Sequence, residues 1–223
     1  GGSQQAAGAF AVHRRELASN LPAQAALRLD YWRDFDGHRR ESVIATGERT
    51  RDEQFQERDG WETSPALGLV WRPNADLRVR TSAYRAFRTP TLNELYRPFR
   101  VGNVATDANP ALGVETLDGF ELGVEWSRGA WAFAAGVFEN RLENAVANVT
   151  LSSSGSLVQR RRENLDLVRV RGIELSASWA ASPQLRISLD ALVSDPRVKR
   201  AAIAPDLEGR RLPQAPREVL TAR

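Results

Sequence analysis

The feature that most constrains this chain is a two-residue alternation that returns again and again along it. Over Gly119 to Trp126, GFELGVEW, one parity holds Phe120, Leu122, Val124 and Trp126 while the other holds Gly119, Glu121, Gly123 and Glu125. Successive side chains of a β-strand point to opposite faces, so this segment is an amphipathic strand with one greasy and one wet side. Two carboxylates and two glycines do not line a packed core. They can line a watery interior, and Leu77, Val79, Thr81 and Ala83 against Arg78, Arg80 and Ser82 tell the same story. Further alternating runs lie at 27–31, 67–71, 131–137, 173–179 and 185–191. Val168 and Val170 have the opposite parity to Ile173 and Leu175, which predicts a β-bulge near Arg171-Gly172 that swaps the faces.

The connections alternate too. Ser19 to Pro22, Pro73 to Asp76, Ser127 to Ala130 and Ala180 to Pro183 read as tight turns rich in Ser, Asn, Pro and Gly. Between them lie long polar connections, roughly 34–60, 88–114, 143–163 and 195–211. Short turns alternating with long loops is the rhythm of an up-and-down barrel in an outer membrane. Trp71, Trp126, Trp131 and Trp179 all fall near a short turn on the apolar parity, where an aromatic girdle would meet the membrane interface.

Composition removes several other classes. The 223 residues contain no cysteine, which excludes disulfides and thiol chemistry, and the two histidines, His13 and His38, have no ligand-spaced carboxylate cluster beside them. No phosphate-cradling Gly-rich loop and no G-x-S-x-G elbow occurs, so an enzyme is not expected and no metal or cofactor is implied. A net charge of +3, spread evenly, gives no nucleic-acid surface.

The segment from Arg85 to Pro98, RAFRTPTLNELYRP, takes a strand out of the sheet at Thr89-Pro90, because proline donates no backbone hydrogen bond and biases its predecessor toward extended geometry. Its phrase Phe87 to Tyr96, followed by Asn109 to Leu112 and Glu115 to Gly123, resembles the barrel domain of TonB-dependent outer-membrane receptors. RENLDLVRVRGIELSASW, Arg162 to Trp179, and RLPQAP, Arg211 to Pro216, resemble later phrases of the same domain. The resemblance implies an all-β chain, about 8–9 strands of a large antiparallel transmembrane barrel of roughly 22 strands. The whole of 1–223 is then a partial barrel domain, an internal fragment of a Gram-negative outer-membrane protein without its plug or barrel closure, expected to insert poorly alone because its edge strands lack partners.

That family takes up scarce nutrients, such as ferric siderophores, cobalamin or oligosaccharides, with energy from an inner-membrane TonB complex. Its implied partners are outer-membrane lipid and lipopolysaccharide, the receptor's own plug, the TonB complex and a small nutrient ligand. Arg97 and Arg100 beside Tyr96 and Phe99 are the candidate ligand-facing residues, since a cation and an aromatic together suit bulky anionic cargo. Arg78, Arg80, Glu121 and Glu125 are the expected lumen-facing charges. A passive outer-membrane porin or adhesin, and a soluble all-β binding module, share parts of the pattern and stay open at this point.

Overall fold

The computed structural model describes residues 1–213 and 215–223. In chain order it contains β1 (Ser3–Ala18), β2 (Leu21–Phe35), β3 (His38–Ser42), β4 (Arg49–Gln54), β5 (Arg58–Trp71) and β6 (Leu77–Arg88). A short helix α1 (Leu92–Tyr96) precedes β7 (Phe99–Val101) and β8 (Val104–Asp107). The long strands β9 (Glu115–Arg128), β10 (Trp131–Ser154), β11 (Leu157–Ser182) and β12 (Leu185–Arg200) follow, and β13 (Glu218–Ala222) ends the series. One sheet runs in the order β1-β2-β5-β6-β9-β10-β11-β12-β13, nine strands each antiparallel to the next. The fold is all-β, part of an up-and-down barrel wall. β8 joins the sheet by pairing parallel to β11, and β3 with β4 forms a separate hairpin.

The short turns lie where turn chemistry puts them. Gly129 has φ +57°, a left-handed conformation that costs glycine nothing, and it carries the two-residue link from β9 to β10. The Asn74 carboxamide accepts from the amides of Asp76 and Leu77 at 3.0 and 2.9 Å, closing the β5-β6 turn.

Register carries the alternation across the whole sheet. One row runs Trp71, Val79, Val124, Ala135, Leu175, Ala191 and Leu220. A row three residues further along, on the opposite face, runs Gln24, Gly68, Ser82, Glu121, Phe138, Gly172 and Ser194. The apolar face is open: Phe120, Leu122, Phe133, Ile173 and Leu175 are each more than 40% exposed. A soluble sandwich would cover that face with a second sheet, and a patch this continuous on a water-exposed surface would drive association. The buried residues lie at the long-connection end instead, in one cluster around Leu165, Val168 and Val198 and another around Leu95, Tyr96 and Leu112.

Two expectations change. No bulge interrupts β11 at Arg171-Gly172, since its pairing with β10 stays in register from Trp179 to Arg160. Val168 and Val170 share a face with Gly172 and Glu174, and Val168 is fully buried against Val198, Ala201 and Ala204 beneath the β12-β13 connection. What changes near Arg171 is the surroundings of the strand rather than its phase. The second correction concerns the connection expected at 143–163, which is mostly a continuation of β10 and β11 into a hairpin turning at Gly155.

Glycines on the polar face make room for large neighbours. A Cβ on Gly119 would run into the Tyr84 ring, whereas one on Gly68 would meet nothing within 4 Å. Gly119→Val therefore displaces Tyr84 and destabilises the wall by about 1–3 kcal/mol, while Gly68→Ala leaves stability within about 0.5 kcal/mol. Urea unfolding midpoints of the two variants in the full-length protein check the contrast.

Candidate functional site

The loop end of the wall is organised by the residues of the RAFRTPTLNELYRP phrase. Pro90 is fully buried and turns the chain off β6. Thr91 caps α1: its hydroxyl accepts from the Glu94 amide, while the Glu94 carboxylate accepts from the Thr91 amide at 2.7 Å and hydroxyl at 2.9 Å. This reciprocal pair satisfies donors that a helix start otherwise leaves free. Arg88 then bridges Glu94, at 2.9 Å, and Glu115.

A second group of contacts ties the phrase to its neighbours. The Asp34 carboxylate, fully buried, accepts from Gln4 Nε2 at 2.8 Å and from Arg58 Nε at 2.9 Å. Gln4 also donates to the Pro90 carbonyl at 3.2 Å, and Arg58 donates to the Leu112 carbonyl. Asn109 donates to the Arg162 carbonyl at 2.9 Å and to Glu163 at 3.1 Å. Asn164 accepts from the Gly113 amide and donates to the Asn144 carbonyl. The phrases that lie far apart in sequence thus meet in one knot at the rim.

Of the four residues expected to face a ligand, Tyr96 behaves differently from the rest. It is only 4% exposed, stacks on Phe55 with ring centroids 5.1 Å apart, and lies against Gly2 and Gly37. The α1 turn that exposes Arg97 drives the neighbouring Tyr96 ring inward, so it packs the loop and presents no ligand surface. Arg97, Phe99 and Arg100 stay at the surface. The Arg162 guanidinium sits 5.0 Å above the Phe99 ring and donates to the carbonyls of Asn93 and Arg97, holding the end of α1 beside the β7-β8 hairpin. Arg162 is the residue of the Arg160-Arg161-Arg162 run that the fold draws into this rim, a role its sequence neighbourhood does not reveal.

On the polar face, Arg78 and Arg80 both approach Glu125, at 3.3 and 3.5 Å, and Glu121 accepts from the Tyr84 hydroxyl at 3.0 Å. On the apolar face, Trp131 stacks on Trp179 at 5.3 Å and on Phe133 at 6.0 Å, and Trp126 stacks on Phe133 at 5.7 Å. Trp71 lies on the same face near its own short turn. A second aromatic pair was not anticipated: Tyr31 and Trp61 meet at 5.1 Å on that face, ten residues up β5 from Trp71. Ten residues of a strand tilted by roughly 40° rise about 25 Å, the height of a barrel's apolar band. Their parity and their distance from Trp71 were the available signal.

Glu94 links this knot to pH. Burial alone would raise its pKa, but hydrogen bonds from Arg88 and Thr91 outweigh that and hold it below the usual carboxylate range. Its contribution is therefore present above the unfolded value near 4.5 and disappears as pH falls through the lower folded value. Amide exchange in α1, corrected for its intrinsic rate, should rise below about pH 4, and Glu94→Gln should raise it at neutral pH and flatten the acid limb.

Comparison with known proteins fits this geometry. A family model described as TonB dependent receptor-like, beta-barrel matches residues 1–222. The hemoglobin and hemoglobin-haptoglobin-binding protein C of Haemophilus influenzae is 29% identical over 118 residues, which is 50% of this chain and 11% of that protein. Among solved structures, the copper transporter OprC superposes with a TM-score of 0.77 at 17% identity, over 98% of this chain and 32% of that one. The ferric yersiniabactin uptake receptor FyuA of Yersinia pestis superposes with a TM-score of 0.70 at 15% identity, over 98% of this chain and 30% of that one. The structural likenesses are likenesses of fold, and the chain spans a small part of the curated relative's length. On the match along its whole length, the chain belongs to the TonB-dependent receptors, as part of their outer-membrane β-barrel.

Proposed function

We propose that this chain is part of the wall of a receptor that captures a scarce, bulky, anionic nutrient complex outside the cell and imports it with energy from the TonB complex. The observation that carries the reading is the division of one sheet between two solvents. An open apolar face is bounded by Trp126, Trp131 and Trp179 at one end and by Tyr31 and Trp61 at the other, and an ion-paired polar face lies behind it. In this reading the apolar face meets lipid, with Trp71, Trp126, Trp131 and Trp179 at the periplasmic interface. Arg78, Arg80, Glu121 and Glu125 face the lumen and a plug formed by another part of the protein.

The rim supports a substrate class. Arg97 and Arg100 flank Phe99 at the surface, and Arg162 supports that ring from above. A planar or multiply anionic iron complex, of the ferric siderophore or heme type, suits an aromatic ring among guanidinium groups. The Haemophilus influenzae relative is named for binding hemoglobin, which agrees with a heme-linked cargo.

Uptake of a ferric siderophore or heme by cells carrying the full-length receptor should cease when the proton gradient is collapsed, while ligand binding at the surface persists. Uptake that continues without the gradient identifies a passive pore and overturns the reading. Arg97→Glu combined with Arg100→Glu should weaken ligand binding about tenfold, equivalent to about 1.4 kcal/mol, in an equilibrium titration of the purified receptor. An unchanged affinity removes the rim from the ligand site.

A further inference from the structure

β10 outgrows its neighbour on one side. Its pairing with β9 ends at Glu143, whereas its pairing with β11 continues to Ser154, so its upper part has a strand on one side only. The Val146 amide points to the open side, where the Glu115 carboxylate accepts it at 2.6 Å in place of a neighbouring strand. Backbone groups of an antiparallel strand alternate in direction with period two, so Asn148 and Thr150 turn their N–H and C=O the same way. On β11 the Val158 amide reaches away from β10 to the Asn103 carbonyl. Arg160 and Arg162 share its parity, so the pairs Asn148 with Arg162 and Thr150 with Arg160 exchange no backbone hydrogen bonds. Among the described residues nothing takes up the Asn148 and Thr150 backbone groups.

Natural sheets blunt such edges with lysine, proline or inward-pointing charge, and NAVANVTLSSS, Asn144 to Ser154, contains none of these. The edge is nevertheless held in place. Ala145 and Val149 are buried in the cluster with Leu165 and Val168, while Asn148 and Thr150 stay exposed. A register shift between Thr150 and Ser152 ends the straight part, which leaves 146–150 open to pairing. A fixed, uncharged edge with open donors and acceptors is a template for one more strand.

Charge selects what that strand carries. Directly across from Thr150 stands Arg160, the first of three consecutive arginines. Arg161 is paired with Glu163 and Arg162 lies over Phe99, whereas Arg160 forms no ion pair among the described residues and its buried Nε has no acceptor. Glu115, at the foot of the edge, is already held by Arg88. A strand laid beside β10 places a side chain about 5 Å from Thr150, with only that short residue between it and Arg160. Two copies of this chain joined edge to edge would instead bring two arginine runs together.

We propose that the free edge of β10 at 146–150 is a strand-addition site for a protein partner outside the cell, which contributes a short extended segment with a carboxylate beside Arg160. Main-chain hydrogen bonds to Asn148 and Thr150 supply the grip, and the guanidinium favours acidic over basic segments through a charge-assisted bond. The site is distinct from the rim of Arg97, Phe99 and Arg100 and takes a polypeptide rather than a nutrient complex; its place outside the cell rests on the membrane-barrel reading above.

The test uses the full-length receptor, purified in detergent and checked for the heat-modifiable gel mobility of a folded barrel. Fluorescently labelled probes are titrated against it by anisotropy: a peptide of about ten alternating Glu and Thr residues, its counterpart with Lys for Glu, and the acidic peptide N-methylated throughout. Thr150→Pro removes an edge donor that β11 does not use, Arg160→Glu reverses the charge, and Arg160→Lys keeps it. The acidic peptide should bind saturably. N-methylation, Lys for Glu, Thr150→Pro and Arg160→Glu should each weaken it about tenfold or more, while Arg160→Lys retains most of the affinity. Should Thr150→Pro fail to fold, the N-methylated peptide on the wild type decides alone. Binding that survives N-methylation is charge attraction without strand addition and overturns the site, as do an absence of binding and receptor dimers that Thr150→Pro abolishes. A receptor with no heat-modifiable barrel overturns the membrane reading and this inference with it, whereas a failure of gradient-driven uptake leaves the titration untouched.

Discussion

The pleat of a β-strand sends neighbouring side chains in opposite directions, and in this protein the two directions carry incompatible chemistry over nine strands. Register then does the rest. A slip of one residue between β9 and β10 would turn Phe120, Leu122 and Val124 to the sheet's polar face and Glu121 and Glu125 to its apolar face, so the pairing is held by every row at once. Between the edge strands β1 and β13, below the long connections, the backbone's hydrogen bonds are used within the sheet, which is what a wall in contact with hydrocarbon requires. For such a wall the usual packed core is unnecessary, and the few buried residues gather where the chain leaves the sheet.

At that end, order comes from polar contacts rather than from apolar packing alone. Asp34, Arg58 and Gln4 gather three strands and two loops on one buried carboxylate, and Arg88 fastens α1 to the start of β9. In the proposed receptor, a loop that presents Arg97, Phe99 and Arg100 to a ligand needs such anchoring, because a free polar loop of that length would spend its binding energy on becoming ordered.

Much of the wall was legible in the sequence because a period of two survives without any knowledge of neighbours. The short turns, the apolar face and the polar parity of Arg78, Arg80 and Glu125 within their own strands all follow from local order of residues. Val168 and Val170 misled for a physical reason: parity shows which side a residue takes but not what lies on that side, and above the band the inner side is covered by the β12-β13 connection. Tyr96 misled in the same way. An aromatic beside an arginine in a polar loop has the composition of a ligand contact, yet its stacking on Phe55 depends on a residue some forty positions earlier.

By itself, then, the sequence determined an all-β amphipathic wall, its turn rhythm, the tryptophans of its apolar face near the short turns and its family, since each is written in spacing or in contiguous phrases. Only the tertiary structure decided that Tyr31 meets Trp61, that Arg162 covers Phe99, that Tyr96 is buried, and that Arg141, Arg169, Arg197 and Arg211 stand in one row. Each of those depends on register between strands or on how a loop folds back. Neighbours across a sheet are set by the sum of many weak pairings, a quantity that no single stretch of residues contains.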